Sequence, residues 1–300
     1  MASRKYRLEQ GESLPSEVAR VARGRIDHAL HELSGRSDKS PEDAVHTARK
    51  DIKKLRALMR LVRGELGDEV YRRESAAFRD AGRELADLRD ADVMLATLDS
   101  LELPDDGPLR QALEAHRIRT AAGAREPAEA AAAVILADAA ERVPEWPLQS
   151  EGFDAFEDAL RRVYRQGRRR MRSAREDPSA ERLHDWRKRA KDLWYFCTLL
   201  ERAWPPVMIA LGDEAHALSE RLGDDHDLAV LLAFAEEHAV GTEPLRTAVA
   251  KRRMRLQDEA FAYGERLFAE RPKAFVARVE KWWTASARAA GAEPAHHELG

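Results

Sequence analysis

A single cysteine in 300 residues, Cys197, excludes an internal disulfide and any zinc cage built from thiolates. It falls on the apolar side of a helical pattern, where it reads as a small buried hydrophobe. Long apolar runs are missing too. The longest, Ala130 to Ala137, is far short of the ~20 residues needed to cross a bilayer, so no membrane association is expected. The opening MASRKYRLEQGESL lacks the hydrophobic stretch of a signal peptide, and a soluble, cytoplasmic protein is expected. Aromatics make up only 6%, and no segment alternates with period two, so no strands are predicted. Net charge is also small: 51 Lys and Arg stand against 54 Asp and Glu, a balance of −3. That excludes a generically basic protein. Scattered exposed charges are screened within ~8–10 Å, so a basic field here requires segregated charge. Catalytic signatures are absent: there is no Walker-type glycine loop, no H-E-x-x-H, no G-x-S-x-G and no Cys–His pairing.

What is present is helix. Charged residues reach 35%, and Ala, Arg, Glu and Leu dominate, which favours long helices laced with ion pairs. The apolar periodicity predicts helices at 15–34, 42–65, 68–99, 108–124 and 127–142, then 152–175, 180–202, 206–239, 243–270 and 272–290. Pro41 with Glu42 and Asp43 makes a sound helix start, and Ser179 is a candidate cap. The stretch from Pro144 to Gly152 is the natural seam, giving halves at 1–146 and 147–290. A disordered tail is expected at 291–300, including His296 and His297.

The two halves repeat one another. VHTARKDIKKLR from Val45 and LHDWRKRAKDLW from Leu183 share the pattern H-x-x-R-K-x-x-K. It sets His46, Arg49, Lys50 and Lys53 opposite His184, Arg187, Lys188 and Lys191. Residues at i, i+3, i+4 and i+7 share one helix face, so each copy projects its cations together. The other side is apolar in both: Val45, Ala48, Ile52 and Leu55, then Leu183, Trp186, Ala190 and Leu193. A solvated charge run would carry interspersed acids, but the first copy is relieved only by Asp43 and Asp51. Like charges at this spacing oppose folding unless an anion compensates them. A duplicated basic face therefore points to an anion site. The repeat continues in LADLRDADVML from Leu85 and LSERLGDDHDLAVL from Leu218, pairing Asp92 with Asp227, and Arg117 falls opposite Arg252 at the same offset.

These segments, with the closing FAYGERLFAERPKAFVARVEKWW, resemble the CHAD family, the conserved-histidine α-helical domain, from about Tyr6 to Trp283. The resemblance implies an all-α fold of two pseudo-symmetric bundles around a shared basic groove or pore that binds inorganic polyphosphate. With no catalytic signature in the chain, neither a cofactor nor catalysis is expected. The site would comprise His46, Arg49, Lys50, Lys53, Arg56, His184, Arg187, Lys188 and Lys191, with Arg83, Arg117 and Arg252 as a second tier on neighbouring helices. In one place the chain departs from the family pattern. The arginine ten residues after the histidine is present as Arg56 in the first copy, but Trp194 stands there in the second.

Two rival readings are open at this stage. One is a metal-dependent phosphohydrolase acting on polyphosphate or nucleotides, suggested by His184-Asp185 and His226-Asp227. A dication would there sit among Arg187, Lys188 and Lys191, where repulsion is severe, so no metal is expected. Asp90, Asp92, Asp225 and Asp227 read instead as helix anchors or partners of the basic face. The other rival is nucleic-acid binding, disfavoured because the first motif helix offers no aromatic platform. Polyphosphate, and through it polyphosphate granules, is the expected partner.

Overall fold

The computed structural model describes residues 6–9, 12–86, 90–121 and 125–292. The candidate Asp90 side chain, His296 and His297 lie outside what is described. Among the described residues the chain is all-α, with no strand. Its helices are α1 (Leu14–Leu33), α2 (Pro41–Leu61), α3 (Arg63–Glu84), α4 (Asp90–Asp99), α5 (Gly107–Ala121), α6 (Arg125–Arg142), α7 (Asp154–Glu176), α8 (Ala180–Leu199), α9 (Pro205–Glu237), α10 (Glu243–Leu267) and α11 (Pro272–Ala292). No helix among the described residues is long and apolar enough to cross a membrane.

The starts of the two motif helices are set locally. Ser40 accepts a hydrogen bond from the Asp43 N–H, Pro41 opens α2, and Glu42 and Asp43 complement the helix dipole. Ser179 does the same for α8 through the Arg182 N–H. One expectation needs correction: the helix read at 68–99 is two elements. α3 ends at Glu84 and α4 begins at Asp90, and the carbonyl of Ala86 accepts from Arg49 Nη1 at 2.8 Å. α3 is itself kinked at Gly67, whose φ of 70° and ψ of 164° suit a residue without a Cβ. α9 runs unbroken for 33 residues, so the two copies differ at this element.

Helix pairings recur in the order of the repeat. α1 packs on α2 as α7 packs on α8, α2 on α3 as α8 on α9, and α4 on α5 as α9 on α10. The hydrophobic core does not divide at residue 146. One large cluster joins Ile26, Ile52, Leu55 and Phe78 to Tyr164, Trp186, Leu193 and Phe275. A smaller one joins Met94, Leu98 and Leu113 to Leu228, Phe234 and Leu256. Each draws on both sides of the seam. As a result α2 lies against α8, and α4 lies against α9. The apolar faces of the two motif helices are thereby buried, and their basic faces are left to point elsewhere.

Trp186, on the apolar side of α8, is fully buried and stacks on Phe261 with ring centroids 5.3 Å apart. α10 passes so close that a Cβ on Gly264 would lie 2.4 Å from the indole Cζ2 and 2.8 Å from Met171 Sδ. In an open helix Gly→Ala gains up to ~1 kcal/mol of propensity. Here Gly264→Ala should instead lower stability by ~1–3 kcal/mol through overpacking. Urea unfolding followed by circular dichroism measures this, and a neutral or stabilising result would contradict the close packing of α10 on α8.

Candidate functional site

α2 and α8 bring their basic faces to one cavity of about 480 Å³, lined by Lys50, Lys54, Arg187, Lys191, Trp194 and Tyr195 on one side. α9 supplies the other wall: His216, Ser219, Glu220, Gly223, Asp224 and Asp227. Lys53 belongs to the same field. The largest influence on its ammonium is burial, followed by the charges of Lys191, Arg49, Arg187 and Lys50, and together they lower it to about 8. Lys191 is likewise lowered to about 8, by burial first and then by Arg187 and Lys50, against the opposing pull of Glu220 and Asp227. Lys53 still reaches water while Lys191 is half-buried. Cations of both motif copies therefore crowd one another across the α2–α8 contact.

The arginines are held in place by backbone carbonyls. Arg49 donates to Ala86 O at the end of α3, and Arg187 Nε donates to Ser219 O at 3.3 Å. Gly223 makes room for the Arg187 guanidinium between α8 and α9, since a Cβ there would lie 2.9 Å from its Nη2. Behind the cations sit buried carboxylates. Asp51 takes Arg25 at 3.1 Å and His28 Nδ1 at 2.5 Å. Asp192 takes Arg60 of α2 at 3.1 Å and Arg189 at 2.9 Å, tying the two motif helices together. Asp225 accepts from Arg253 at 3.0 and 3.2 Å and from Gln257 at 2.7 Å, fastening α9 to α10. This anchoring role is the one expected for Asp225.

His184 is not a cation in the free protein. Burial first, then His226, Lys188 and Arg187, hold its imidazole down at about 4. His226, lowered for the same leading reason, lies against it with ring centroids 4.4 Å apart. The Nδ1 atoms of both rings are buried without a hydrogen-bond partner in the described structure. Lys188 points outward, half exposed and paired with Asp185 at 2.7 Å. His46 is half-buried on α2. Arg56 lies a turn beyond Lys53, where its charged neighbours are Arg60, Asp192 and Arg79.

The second-tier arginines divide. Arg252 lines an adjoining cavity of about 410 Å³ together with Asp92, Asp224 and Asp227, so the two repeated aspartates meet. Arg117 is 3.9 Å from Asp92. Arg83 is 71% exposed beside Asp80 and lines neither cavity. The α9 wall is what sequence reasoning missed. Residues 216, 220, 223, 224 and 227 share a helical face, a spacing visible in the chain, yet of these only Asp227 stands among the sequence candidates, as a helix anchor or partner of the basic face. Asp224 is raised by burial, then by Asp227 and Glu220, so this wall is acidic and crowded. Among the described residues no group of His, Cys, Asp or Glu side chains is arranged to hold a metal ion.

A family model described as the CHAD domain matches residues 20–236. No curated protein matches the chain. Among solved structures, the crystal structure of the CHAD domain from the plant Ricinus communis is similar in fold, with a TM-score of 0.62 at 18% identity, covering 91% of this chain and 93% of that one.

The crowded lysines carry a stability consequence. Their folded values near 8 lie below the ordinary 10.5, so between those limits the unfolded chain binds more protons and stability rises with pH. Lys53→Met and Lys191→Met keep the aliphatic stem and remove the charge. Each should stabilise the unliganded protein at pH 7 by on the order of 1 kcal/mol, a value discounted for solvent contact. The advantage should shrink by pH 10. Urea titrations at both pH values test it, and variants less stable than wild type at pH 7 would contradict the crowding.

Proposed function

The chain belongs to the CHAD domain family, and on that footing we propose that it is a binding module for inorganic polyphosphate. The observation that carries the reading is the convergence of Lys53 and Lys191, with Arg49, Arg187 and Lys50, from two copies of one motif. Polyphosphate has no base or sugar to read, so a protein recognises it by charge and shape. Arginine forks take phosphate oxygens two at a time, and lysines add adaptable point charges. A long uniform chain suits two like faces side by side, because the second contact forms at high effective concentration. The energy stored in crowding these cations is released when a polyanion neutralises them. Such a module would draw its carrier to polyphosphate granules in the cytoplasm.

Binding should fall steeply with salt as counterions are released. Replacing Arg49 and Lys53 together by Ala should weaken binding of long chains tenfold or considerably more, since each charge-assisted contact is worth about 1.5–3 kcal/mol. Replacing Arg187 and Lys191 together should do likewise. Filter binding at two salt concentrations measures both. Wild-type affinity and salt slope in both double variants would mean that these faces are solvated surface. Phosphate release from polyphosphate with Mg²⁺ or Mn²⁺, lost in Asp92→Ala and Asp227→Ala, would favour a phosphohydrolase instead.

A further inference from the structure

Trp194 is a feature that a site for a bare phosphate chain does not need. It occupies the place where the first motif carries Arg56, so at this position a cation has given way to an indole. Its ring is half-buried and lines the cavity beside Lys50, Lys54, Arg187 and Lys191. Lys191 Nζ stands 5.9 Å from the ring centroid. His216 meets the ring edge-on at 3.9 Å from the facing wall, and Tyr195 stacks on it at 4.7 Å. The other described indoles lie elsewhere. Trp146, Trp186 and Trp283 are buried in the core, and Trp204 and Trp282 pair with one another. An inorganic phosphate gains nothing from aromatic surface, whereas a nucleobase stacks on it regardless of sequence.

The facing wall adds a second discrepancy. Glu220, Asp224 and Asp227 oppose the cations across the cavity, and Ser219 precedes them along α9. Phosphates are drawn to the cationic side of the cavity, which leaves the three carboxylates to meet whatever the phosphates carry. A ligand with phosphates at one end and N–H or O–H donors at the other would find acceptors there. The cavity thus sets cations, aromatic rings and hydrogen-bond acceptors within about 480 Å³, a size ordinary for a small-molecule pocket.

We propose that this cavity takes a nucleoside polyphosphate, its phosphates on Lys50, Lys54, Arg187 and Lys191 and its base against Trp194 and His216. The proposal rests on the polyanion reading of the same cations and adds what caps the end of the phosphate chain. A single-stranded nucleic acid would share the stacking, but it would bring an unbroken row of phosphates to the acidic wall.

Calorimetric titration of the full chain with ATP and with tripolyphosphate separates the readings, because the two ligands have equal phosphate number. Tripolyphosphate carries the greater charge, so a site governed by charge alone ranks it first. The proposal expects ATP to bind about tenfold tighter, the usual worth of one stacked base. Trp194→Ala should remove that advantage, so that ATP no longer binds tighter than tripolyphosphate to the same variant. Trp194→Arg, which restores the residue type of the first motif, should strengthen tripolyphosphate and also lose the advantage. Trp194→Phe keeps a ring and should retain part of it, which guards against an alanine variant that fails to fold. ATP no tighter than tripolyphosphate in the wild type, a preference that survives Trp194→Arg, or an oligonucleotide that outcompetes ATP would each overturn the proposal. If tripolyphosphate binds and ATP gains nothing, only this inference fails. If neither ligand binds, the polyanion reading fails with it.

Discussion

Like charge held against like charge across the α2–α8 contact is the constraint on which the rest of this molecule depends. Lys53 and Lys191 each feel cations of the opposite motif copy strongly enough, with burial, to bring their values to about 8. No helix pair adopts that arrangement for its own sake. It persists because the apolar sides of the same helices are locked into a core running from Tyr6 to Trp283. Buried carboxylates behind the basic faces supply the local balance. Asp192 is the most telling, since Arg60 reaches it from α2 while Asp192 itself sits on α8. Removing one partner of so buried a pair strands the other, which is why such groups fix an arrangement more than they add net stability. Tyr6 works beside them: its hydroxyl donates to Lys54 O at 2.8 Å, and its ring meets Tyr195 edge-on.

Much of this was legible in the chain, for reasons that can be named. The helices could be read because a period of 3.6 survives in α1, α2, α7 and α8, and because Ser40 and Ser179 are capping residues of a familiar kind. The repeat could be read because a motif of four cations is specific at its spacing. The break between α3 and α4 could not. Apolar periodicity continues through it, and the competing interaction, Arg49 on the Ala86 carbonyl, comes from 37 residues away. The acidic wall of α9 was hidden for a related reason. That Glu220, Asp224 and Asp227 line the same cavity as Lys191 depends on how α9 crosses α8, which no local pattern encodes.

The histidines show how far residue type alone carries a reading. In the sequence His184 counts as one more potential cation on a basic face. In the fold it is half-buried against His226, close to Lys188 and Arg187, and neutral at physiological pH. Its ring is therefore a packing and hydrogen-bonding group in the free protein, with an unpartnered Nδ1. Lys188, at the next position of the same motif face, turns outward to Asp185. Arg187 and Lys191 consequently represent the second copy at the cavity, while Lys50 represents the first and Lys53 adds to the field.

The central claim is that two copies of one motif make a single polyanion site. Calorimetric stoichiometry with a short, defined polyphosphate tests this most directly. The account predicts one chain bound per protein, in one event weakened alike by loss of the Arg49 and Lys53 pair and by loss of the Arg187 and Lys191 pair. Two independent events per protein, each abolished by a different pair and indifferent to the other, would contradict it.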